Sequence, residues 1–237
     1  AGILLPYNAY ELVKELKSAV KVPIHLHTHQ TAGVGNLTYL KAVEAGVDII
    51  DCALFPLGNG TSQPATEPMV AALAGTQYDT GLDIVKLNEL TEHFKKVAAR
   101  LKADGFLTDK SLQTDVRALI FQVPGGMLSN LVNQLKQLHA EDLYDQVLAE
   151  VPRGREDLGY PPLVTPTSQI VGTQAVFNVF YKERYKVVSN ETKDVLRGKY
   201  GKLPADPNPD VVKKAIGEEE RVTCRPADLL EPELEKY

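Results

Sequence analysis

The sequence predicts an α/β protein in which a short parallel sheet is followed by a mostly helical part. Two strand-like runs, residues 24–29 and 47–54, are separated by a helical pattern, and this spacing favours parallel strands. After residue 80 the strand signals fade, and helical periodicity continues to the end of the chain. With 43% hydrophobic residues among 237, the chain can bury at least one full core.

Helix and strand signals alternate in the first part. Asn8, followed three residues later by Glu11, resembles a capping box and predicts the start of the first helix. After the first strand-like run, Asn36 opens a predicted second helix that Gly46 closes. Beyond the second strand-like run, Thr66 is the predicted N-cap of a third helix, which has a proline in its first turn.

The second part reads as a series of helices. An amphipathic stripe predicts a long helix from about Leu82 to Ala103. The pair Gly125–Gly126 predicts a tight turn, and the last helical pattern has Asn208 as its cap and Gly217 as its stop. The acidic segment 218–237 is expected to lie on the surface. The other helical patterns are MLSNLVNQLKQL, DLYDQVLAEV, TPTSQIVGTQAVFNVF and NETKDVLRGKY.

Charge and composition exclude several classes of function. The net charge is −5 and no run of Lys or Arg could follow a phosphate backbone, so no nucleic-acid partner is expected. No apolar stretch reaches the roughly 18 residues of a membrane-spanning helix, and no leader opens the chain, which predicts a soluble, cytoplasmic protein. Of the two cysteines, Cys52 reads as a small buried apolar group, so a metal would depend on His, Asp, Glu or a modified side chain.

Three of the five histidines alternate within VPIHLHTHQTAG, residues 22–33. In a strand, His25, His27 and His29 project to one face, and same-face neighbours lie about 6.6 Å apart, so two imidazoles can converge on one ion. Reactive groups of such folds gather at the carboxyl ends of strands, which favours His27 and His29 as ligands and gives His25 an orienting role. The alternative is a set of histidines that are only hydrogen-bonded in a core or at a wet strand end.

Two further segments have side chains that suit a site. GNGTSQPATE follows the second strand-like run, where substrate-facing loops belong, so Ser62 and Gln63 are candidate substrate-binding residues. In VTPTSQ, Thr165 followed by Pro166 reads as an N-cap with proline at the first helical position. From the residues alone, capping is the simplest role for Thr165.

Several segments together resemble a known family, the carboxyltransferase subunit or domain of biotin-dependent enzymes acting on pyruvate and oxaloacetate. It includes the oxaloacetate decarboxylase α subunit, the B subunit of two-subunit pyruvate carboxylases and the matching transcarboxylase part. The resemblance runs in the same order over nearly the whole chain. Its segments are IHLHTHQTAG, VDIID, GNGTSQPATE, VPGGMLSNL, LGYPPLVTPTSQIVGTQAVFNV and ERYKVVSNETKDVLRGKYG.

The resemblance implies a more specific fold. Residues 1–80 would be the C-terminal portion of the carboxyltransferase (β/α)₈ TIM barrel, that is, its last βα units. Residues 81–237 would be the mostly helical conserved carboxylase domain, which closes over the barrel mouth. The opening AGILLPY reads as a loop that leaves a strand outside this sequence, and two βα units are far fewer than a closed barrel needs. We therefore expect the chain to be the back end of something longer.

The family resemblance also implies a metal site. The family binds a divalent ion (zinc, manganese or cobalt) through an Asp, a carbamylated Lys and two histidines that match His27 and His29. The Lys would lie a few residues before Ala1 and the Asp further upstream, so this chain alone would lack half the site and is expected to be inactive. Where some members have Asp, this chain has Gln30, which leaves the particular member open.

For Thr165 the resemblance implies a catalytic role, because the matching threonine is thought to move a proton between biotin and the enol of pyruvate. Ser168, one turn later, would line the same mouth. The implied partners are a biotin carboxyl carrier domain outside this chain, a biotin carboxylase subunit or membrane decarboxylase subunits, and a second copy in a homodimer. The expected reaction moves a carboxyl group between carboxybiotin and pyruvate or oxaloacetate.

Two alternatives remain open from the sequence. A metal-dependent aldol- or Claisen-type lyase or synthase of similar barrel would share the two histidines, and activity on coenzyme A thioesters without biotin would favour it. The other alternative is a non-catalytic assembly fragment of a larger carboxylase. Assaying this fragment by itself would distinguish that case.

Overall fold

The computed structural model describes residues 2–123 and 125–233 and divides into two compact units, Ala1–Gly126 and Met127–Tyr237. The boundary expected after residue 80 falls within the first unit. The helix that follows it is tied to the preceding helix, because the Thr91 hydroxyl donates a hydrogen bond to the Glu67 carboxylate. The end of the barrel portion at residue 80 stays a prediction. No helix in the described ranges is long and apolar enough to cross a membrane.

The first unit confirms the predicted parallel strands as a single short pair. His25 pairs with Ile49, and Leu26 pairs with Ile50. Both predicted runs are longer than the pair, because the following backbone bonds to loops: Gln30 N–H donates to the Ser62 carbonyl at 2.8 Å. The elements of this unit are α1 (Pro6–Ala19), β1 (His25–Leu26), α2 (Gly35–Glu44), β2 (Ile49–Ile50), α3 (Thr66–Leu73), α4 (Ile84–Ala103), α5 (Asp109–Leu112) and α6 (Arg117–Phe121).

The starts of the helices follow the predicted caps only in part. The capping box at Asn8 is wrong, because α1 begins at Pro6, whose fixed φ suits the first helical position. The N-cap of α3 is Ala65, one residue before Thr66. The long helix α4 is confirmed within two residues, and the Asp83 side chain caps it by accepting from Val85 N–H at 2.8 Å.

The hydrophobic core of the first unit packs against the apolar face of β1. One buried cluster consists of Tyr39, Val43, Met69 and Leu73, and a second cluster contains Ala9, Val13 and Ala42. Leu26 packs against both clusters. The side chain that separates the first two histidines of the motif therefore anchors the strand, and the imidazoles lie on the opposite face.

The secondary structure elements described in the second unit are all helices, joined by turns and irregular segments. Gly125 and Gly126, the last residues of the first unit, begin the helix that leads into the second unit, so the predicted tight turn is wrong. The last helix is confirmed, because the Asn208 side chain accepts from Asp210 N–H at 3.0 Å and Gly217 follows the final residue. Its helices are α7 (Gly125–Gln137), α8 (Tyr144–Asp157), α9 (Thr167–Phe180), α10 (Asn190–Leu196) and α11 (Pro209–Ile216). The described residues of the acidic tail are mostly exposed, as expected, and residues 234–237 lie outside the described part.

A buried ionic network ties α8 to the segment after α9. Glu150 and Asp157 are 5% and 8% exposed, and Arg184 donates to both carboxylates at 2.6 Å. Asn178 donates to Glu150 at 2.9 Å, and the Tyr185 hydroxyl donates to Asp157 at 3.1 Å. The guanidinium therefore neutralises two carboxylates that water barely reaches.

Replacing Arg184 with methionine is expected to destabilise the protein by about 3 kcal/mol or more, because removal of one partner leaves buried charges uncompensated. Arg184→Met keeps most of the side-chain volume, and the free energy of unfolding in urea measures the loss. Arg225→Met is the matched control, since Arg225 reaches Asp228 only at 4.0 Å on an exposed surface, where a pair contributes about 0–1 kcal/mol. Equal stabilities of the two variants would contradict the role given to the network.

Candidate metal centre

The histidine segment is fixed by the core beneath it. Between the last two histidines, Thr28 is only 2% exposed. The Tyr39 hydroxyl accepts a hydrogen bond from Thr28 N–H at 2.9 Å and contacts the Thr28 carbonyl at 3.3 Å. Burial raises the pKa of Tyr39 to about 12, so the hydroxyl keeps its proton and can donate to this carbonyl. The backbone between His27 and His29 is therefore held at both polar groups of Thr28.

The Nδ1 atoms of His27 and His29 each lie within hydrogen-bond distance of an acceptor oxygen. His27 Nδ1 lies 2.8 Å from Asp51 Oδ2, and His29 Nδ1 lies 2.5 Å from the Thr61 carbonyl oxygen. A carbonyl can only accept, and hydrogen bonds from His27 and then His25 lower the pKa of Asp51, so it is a carboxylate. Each Nδ1 must therefore carry the proton, which leaves a lone pair on each Nε2 when the rings are neutral.

The two Nε2 atoms face each other at 3.1 Å, with the rings inclined at 68°. Two lone pairs at this separation repel unless a cation lies against both of them. Two imidazoles that bind one ion at about 2.0–2.1 Å have nitrogens roughly 3 Å apart. Burial also lowers the pKa of His29, which favours the neutral form that metals bind. The pair therefore fits a divalent metal.

Asp51, like Thr61, is a residue of the site that the sequence did not predict. Its second oxygen, Oδ1, accepts from His25 Nε2 at 2.7 Å, so one carboxylate holds two imidazoles. The available signal was the strand register: Asp51 directly follows Ile50, which pairs with Leu26, and Asp51 therefore stands beside His27. His25 contacts Asp51, which is compatible with the orienting role predicted for it; that role stays a prediction.

Ser62 and Gln63 lie in a turn next to His29. Within this turn the Ser62 hydroxyl donates to Gln63 Oε1 at 2.9 Å, and the Ser62 carbonyl accepts from Gln30 N–H. The residue that contacts His29 is Thr61, through its backbone carbonyl. The structure thus brings the turn to the histidines, and the substrate-binding role of Ser62 and Gln63 stays a prediction.

Thr165 and Ser168 belong to the second unit. Capping by Thr165 is wrong, because α9 begins at Thr167 with Pro166 at the N-cap, after a cis Thr165–Pro166 peptide. The hydroxyl of Thr167 takes the local hydrogen bonds instead, to the carbonyls of Pro162 and Val164. Thr165 is exposed, and its hydroxyl has no hydrogen bond within the described residues, whereas Ser168 is buried.

In the described part of the chain, no group of three or more His, Cys, Asp or Glu side chains could hold a metal ion. Within those residues, His27 and His29 offer an ion two converging nitrogens. Asp51 uses both oxygens to hold imidazoles.

Replacing Asp51 with asparagine is expected to weaken metal affinity about 10–100-fold, the usual effect of losing a carboxylate that orients a histidine ligand. The change removes the charge and replaces one acceptor oxygen with a donor. Titration of the complete protein with Mn²⁺ or Co²⁺ measures the effect. Asp48→Asn is the control, because Asp48 accepts from Lys17 and Ile24 N–H instead of a histidine. Unchanged affinity in the Asp51 variant would refute its orienting role.

The fold and the candidate centre together define a class: an α/β protein in which two histidines after a parallel strand suit a divalent ion, joined to a helical unit. The family model described as the conserved carboxylase domain matches residues 119–237, and the chain belongs to this family. A second model, described as HMGL-like, matches residues 1–93.

The relatives agree with both matches. The pyruvate carboxylase B subunit of Methanocaldococcus jannaschii is 56% identical over 237 residues, which are 100% of this chain and 41% of that protein. The methylmalonyl-CoA carboxyltransferase 5S subunit of Propionibacterium freudenreichii subsp. shermanii is 45% identical over 100% of this chain and 46% of that protein. The chain thus spans less than half the length of these relatives.

A solved structure extends the likeness to the fold. The carboxyl transferase domain of Rhizobium etli pyruvate carboxylase matches with a TM-score of 0.86 and 32% identity, over 98% of this chain and 40% of that chain. The same domain, with pyruvate and biocytin, also matches with a TM-score of 0.86. The α/β fold of this chain therefore matches part of a carboxyltransferase domain.

Proposed function

We propose that this chain is part of a biotin-dependent carboxyltransferase, which moves a carboxyl group between carboxybiotin and pyruvate or oxaloacetate. The observation that carries the proposal is the pair of lone-pair nitrogens, His27 Nε2 and His29 Nε2, 3.1 Å apart. Relatives named as the B subunit of pyruvate carboxylase and the structural match bound to pyruvate and biocytin support the choice of reaction.

The proposed architecture is a (β/α)₈ barrel of which this chain supplies only a part. Residues 1–80 supply the last βα units of a (β/α)₈ barrel, and the parallel pair of β1 and β2 supports this placement. Residues 81–237 form the helical conserved carboxylase domain. Because the relatives are more than twice as long as this chain, the remaining strands of the barrel are proposed to come from outside this sequence.

His27 and His29 would hold the metal, which is zinc, manganese or cobalt in this family. Two nitrogens do not complete a shell of four to six ligands, so an Asp and a carbamylated Lys from outside this chain are proposed to complete it. When bound, the ion supplies a Lewis acid that polarises the keto oxygen and stabilises the developing enolate. Asp51 and Thr61 keep the Nε2 lone pairs of the two histidines directed at the ion.

Thr165 is proposed to move the proton between biotin and the enol of pyruvate. A hydroxyl donates and accepts through one oxygen, which suits a group that must give up a proton and regain one. The exposure of Thr165 supports this role, since its hydroxyl has no competing hydrogen bond within the described residues. His25, Ser62, Gln63 and Ser168 are proposed to line the substrate and biotin site.

The proposed partners follow from the same reaction. Biotin would arrive on a carrier domain, and a biotin carboxylase subunit or membrane decarboxylase subunits would complete the cycle. Relatives named as the B subunit of pyruvate carboxylase and as the large subunit of 2-oxoglutarate carboxylase support an assembly of several subunits. A homodimer and a cytoplasmic location are part of the proposal.

The test compares the complete protein with the fragment described by this sequence. The complete protein is expected to decarboxylate oxaloacetate only when biotin or its carrier is present, and the fragment is expected to be inactive. Turnover of coenzyme A thioesters without biotin would refute carboxyl transfer and favour the lyase or synthase alternative. Normal biotin-dependent turnover in complete proteins that carry His27→Ala or Thr165→Ala would favour the assembly role.

A further inference from the structure

The orientation of His29 depends on a turn formed by residues 59–63. Its Thr61 carbonyl accepts the His29 Nδ1 proton at 2.5 Å, and its Ser62 carbonyl accepts from Gln30 N–H at 2.8 Å. The turn is closed on itself, because Ser62 N–H donates to the Asn59 carbonyl at 2.8 Å. A shift of this turn would therefore move the group that selects the His29 tautomer.

A second segment, residues 108–115, holds the turn from its other side. The Ser111 carbonyl accepts two hydrogen bonds from Thr61, from N–H at 2.8 Å and from the hydroxyl at 3.1 Å. Further along, Asp115 N–H donates to the Thr31 carbonyl at 2.7 Å. The segment therefore contacts both the turn and the chain just after the histidines.

The close approach of this segment explains a glycine. Gly60 has φ +52°, and a Cβ built on it would overlap the Ser111 carbonyl oxygen and lie 2.6 Å from the Leu112 carbonyl carbon. A side chain at this position would push the segment off the turn. Gly75 has a similar positive φ of +71°, but a Cβ there would meet nothing within 4 Å. The two glycines share a positive φ, which would strain any other residue, and differ in what a side chain would contact.

We propose that residues 108–115 form a positioning segment for the metal pair and that they act through Thr61 on His29. The segment lies between the two matched stretches, 1–93 and 119–237, so neither family model includes it. This inference rests on the proposed function, because it assigns the segment a role at the proposed metal ligand. Thr61 does not touch the reacting atoms; it is a positioning residue.

The first experiment compares Gly60→Ala with Gly75→Ala in the complete protein. Both variants bear the strain of a non-glycine residue at positive φ, but only Gly60→Ala displaces the segment. Gly60→Ala is expected to bind Co²⁺ about 10–100-fold more weakly, the range for lost support of a histidine ligand. Its Co²⁺ absorption bands are expected to shift, while those of Gly75→Ala match the unaltered protein.

A milder pair covers the case in which Gly60→Ala fails to fold. Thr61→Val removes the hydroxyl bond to Ser111 and keeps the N–H, so a several-fold loss of Co²⁺ affinity is expected, and Thr61→Ser is expected to restore it. Ring ¹⁵N shifts of His29 in the metal-free protein give a readout that needs no metal. The unaltered protein is expected to show only the ring protonated at Nδ1. The variants Gly60→Ala and Thr61→Val are expected to show a mixture of tautomers.

The outcomes separate the two proposals. If the unaltered protein binds no Co²⁺, the proposed metal function is wrong, and the His29 ring shifts still decide the positioning role. If Co²⁺ binds and Thr61→Val matches Thr61→Ser in affinity and ring shifts, the positioning segment is refuted. Identical affinities and ring shifts of Gly60→Ala and Gly75→Ala refute it as well.

Discussion

Replacing Thr165 with alanine is expected to slow carboxyl transfer about 10²–10⁴-fold, the usual contribution of a positioned proton donor and acceptor. The bound metal is expected to remain, because Thr165 belongs to the second unit and the histidine pair to the first. Folding should be little affected, since the side chain is exposed and its hydroxyl is unbonded within the described residues. Steady-state rates of oxaloacetate decarboxylation with biotin, together with metal content, measure both effects.

Two controls sharpen this prediction. Thr165→Ser keeps a hydroxyl at the same position and is expected to retain most of the activity. Thr167→Ala removes the neighbouring hydroxyl that closes the turn before α9, and it should affect stability more than the chemical step. A Thr165→Ala protein with normal turnover would disprove the proton-transfer role.

Replacing His27 with alanine is expected to abolish stable metal binding. The change removes one of the two converging nitrogens and also one of the two imidazoles that Asp51 holds. The loss should exceed the roughly 100-fold upper figure for groups that only orient a ligand. Metal content of the purified complete protein and titration with Mn²⁺ or Co²⁺ provide the measurement, and activity should fall with the metal.

His93→Ala is the matched control for this change. His93 lies on α4 in the same unit, and its ring contacts Phe94 rather than another imidazole. Normal metal content is expected for that variant. If the His27 variant bound metal as tightly as the His93 variant, the assignment of the histidine pair would be wrong.

Periodicity explains how much of the candidate site the sequence could predict. Alternation along a strand is a local property, so the common face of His25, His27 and His29 follows from their spacing. Asp51 and Thr61 escaped prediction because their contacts depend on strand register and on a turn some 24 to 32 residues away in sequence. Such pairings are set by tertiary structure, which local patterns do not encode.

The helices show the same division between local and non-local information. Long amphipathic stripes such as that of α4 were predicted within two residues, and the cap at Asn208 was confirmed. The caps assigned to Asn8 and Thr165 failed because α1 begins at Pro6, two residues before Asn8, and α9 begins at Thr167 with Pro166 at its N-cap. A polar residue with the right spacing is therefore not sufficient for a cap.

The hydrogen bonds that the Asp51 carboxylate accepts from two imidazoles also favour the correct register of β1 and β2. Slipping β2 by one residue against β1 would turn Asp51 to the opposite side of the sheet and present an aliphatic side chain to the imidazoles. A misaligned strand pair would then lose both hydrogen bonds to the Asp51 carboxylate at once. The correctly folded arrangement is thus selected by the same contacts that prepare the histidines for a cation.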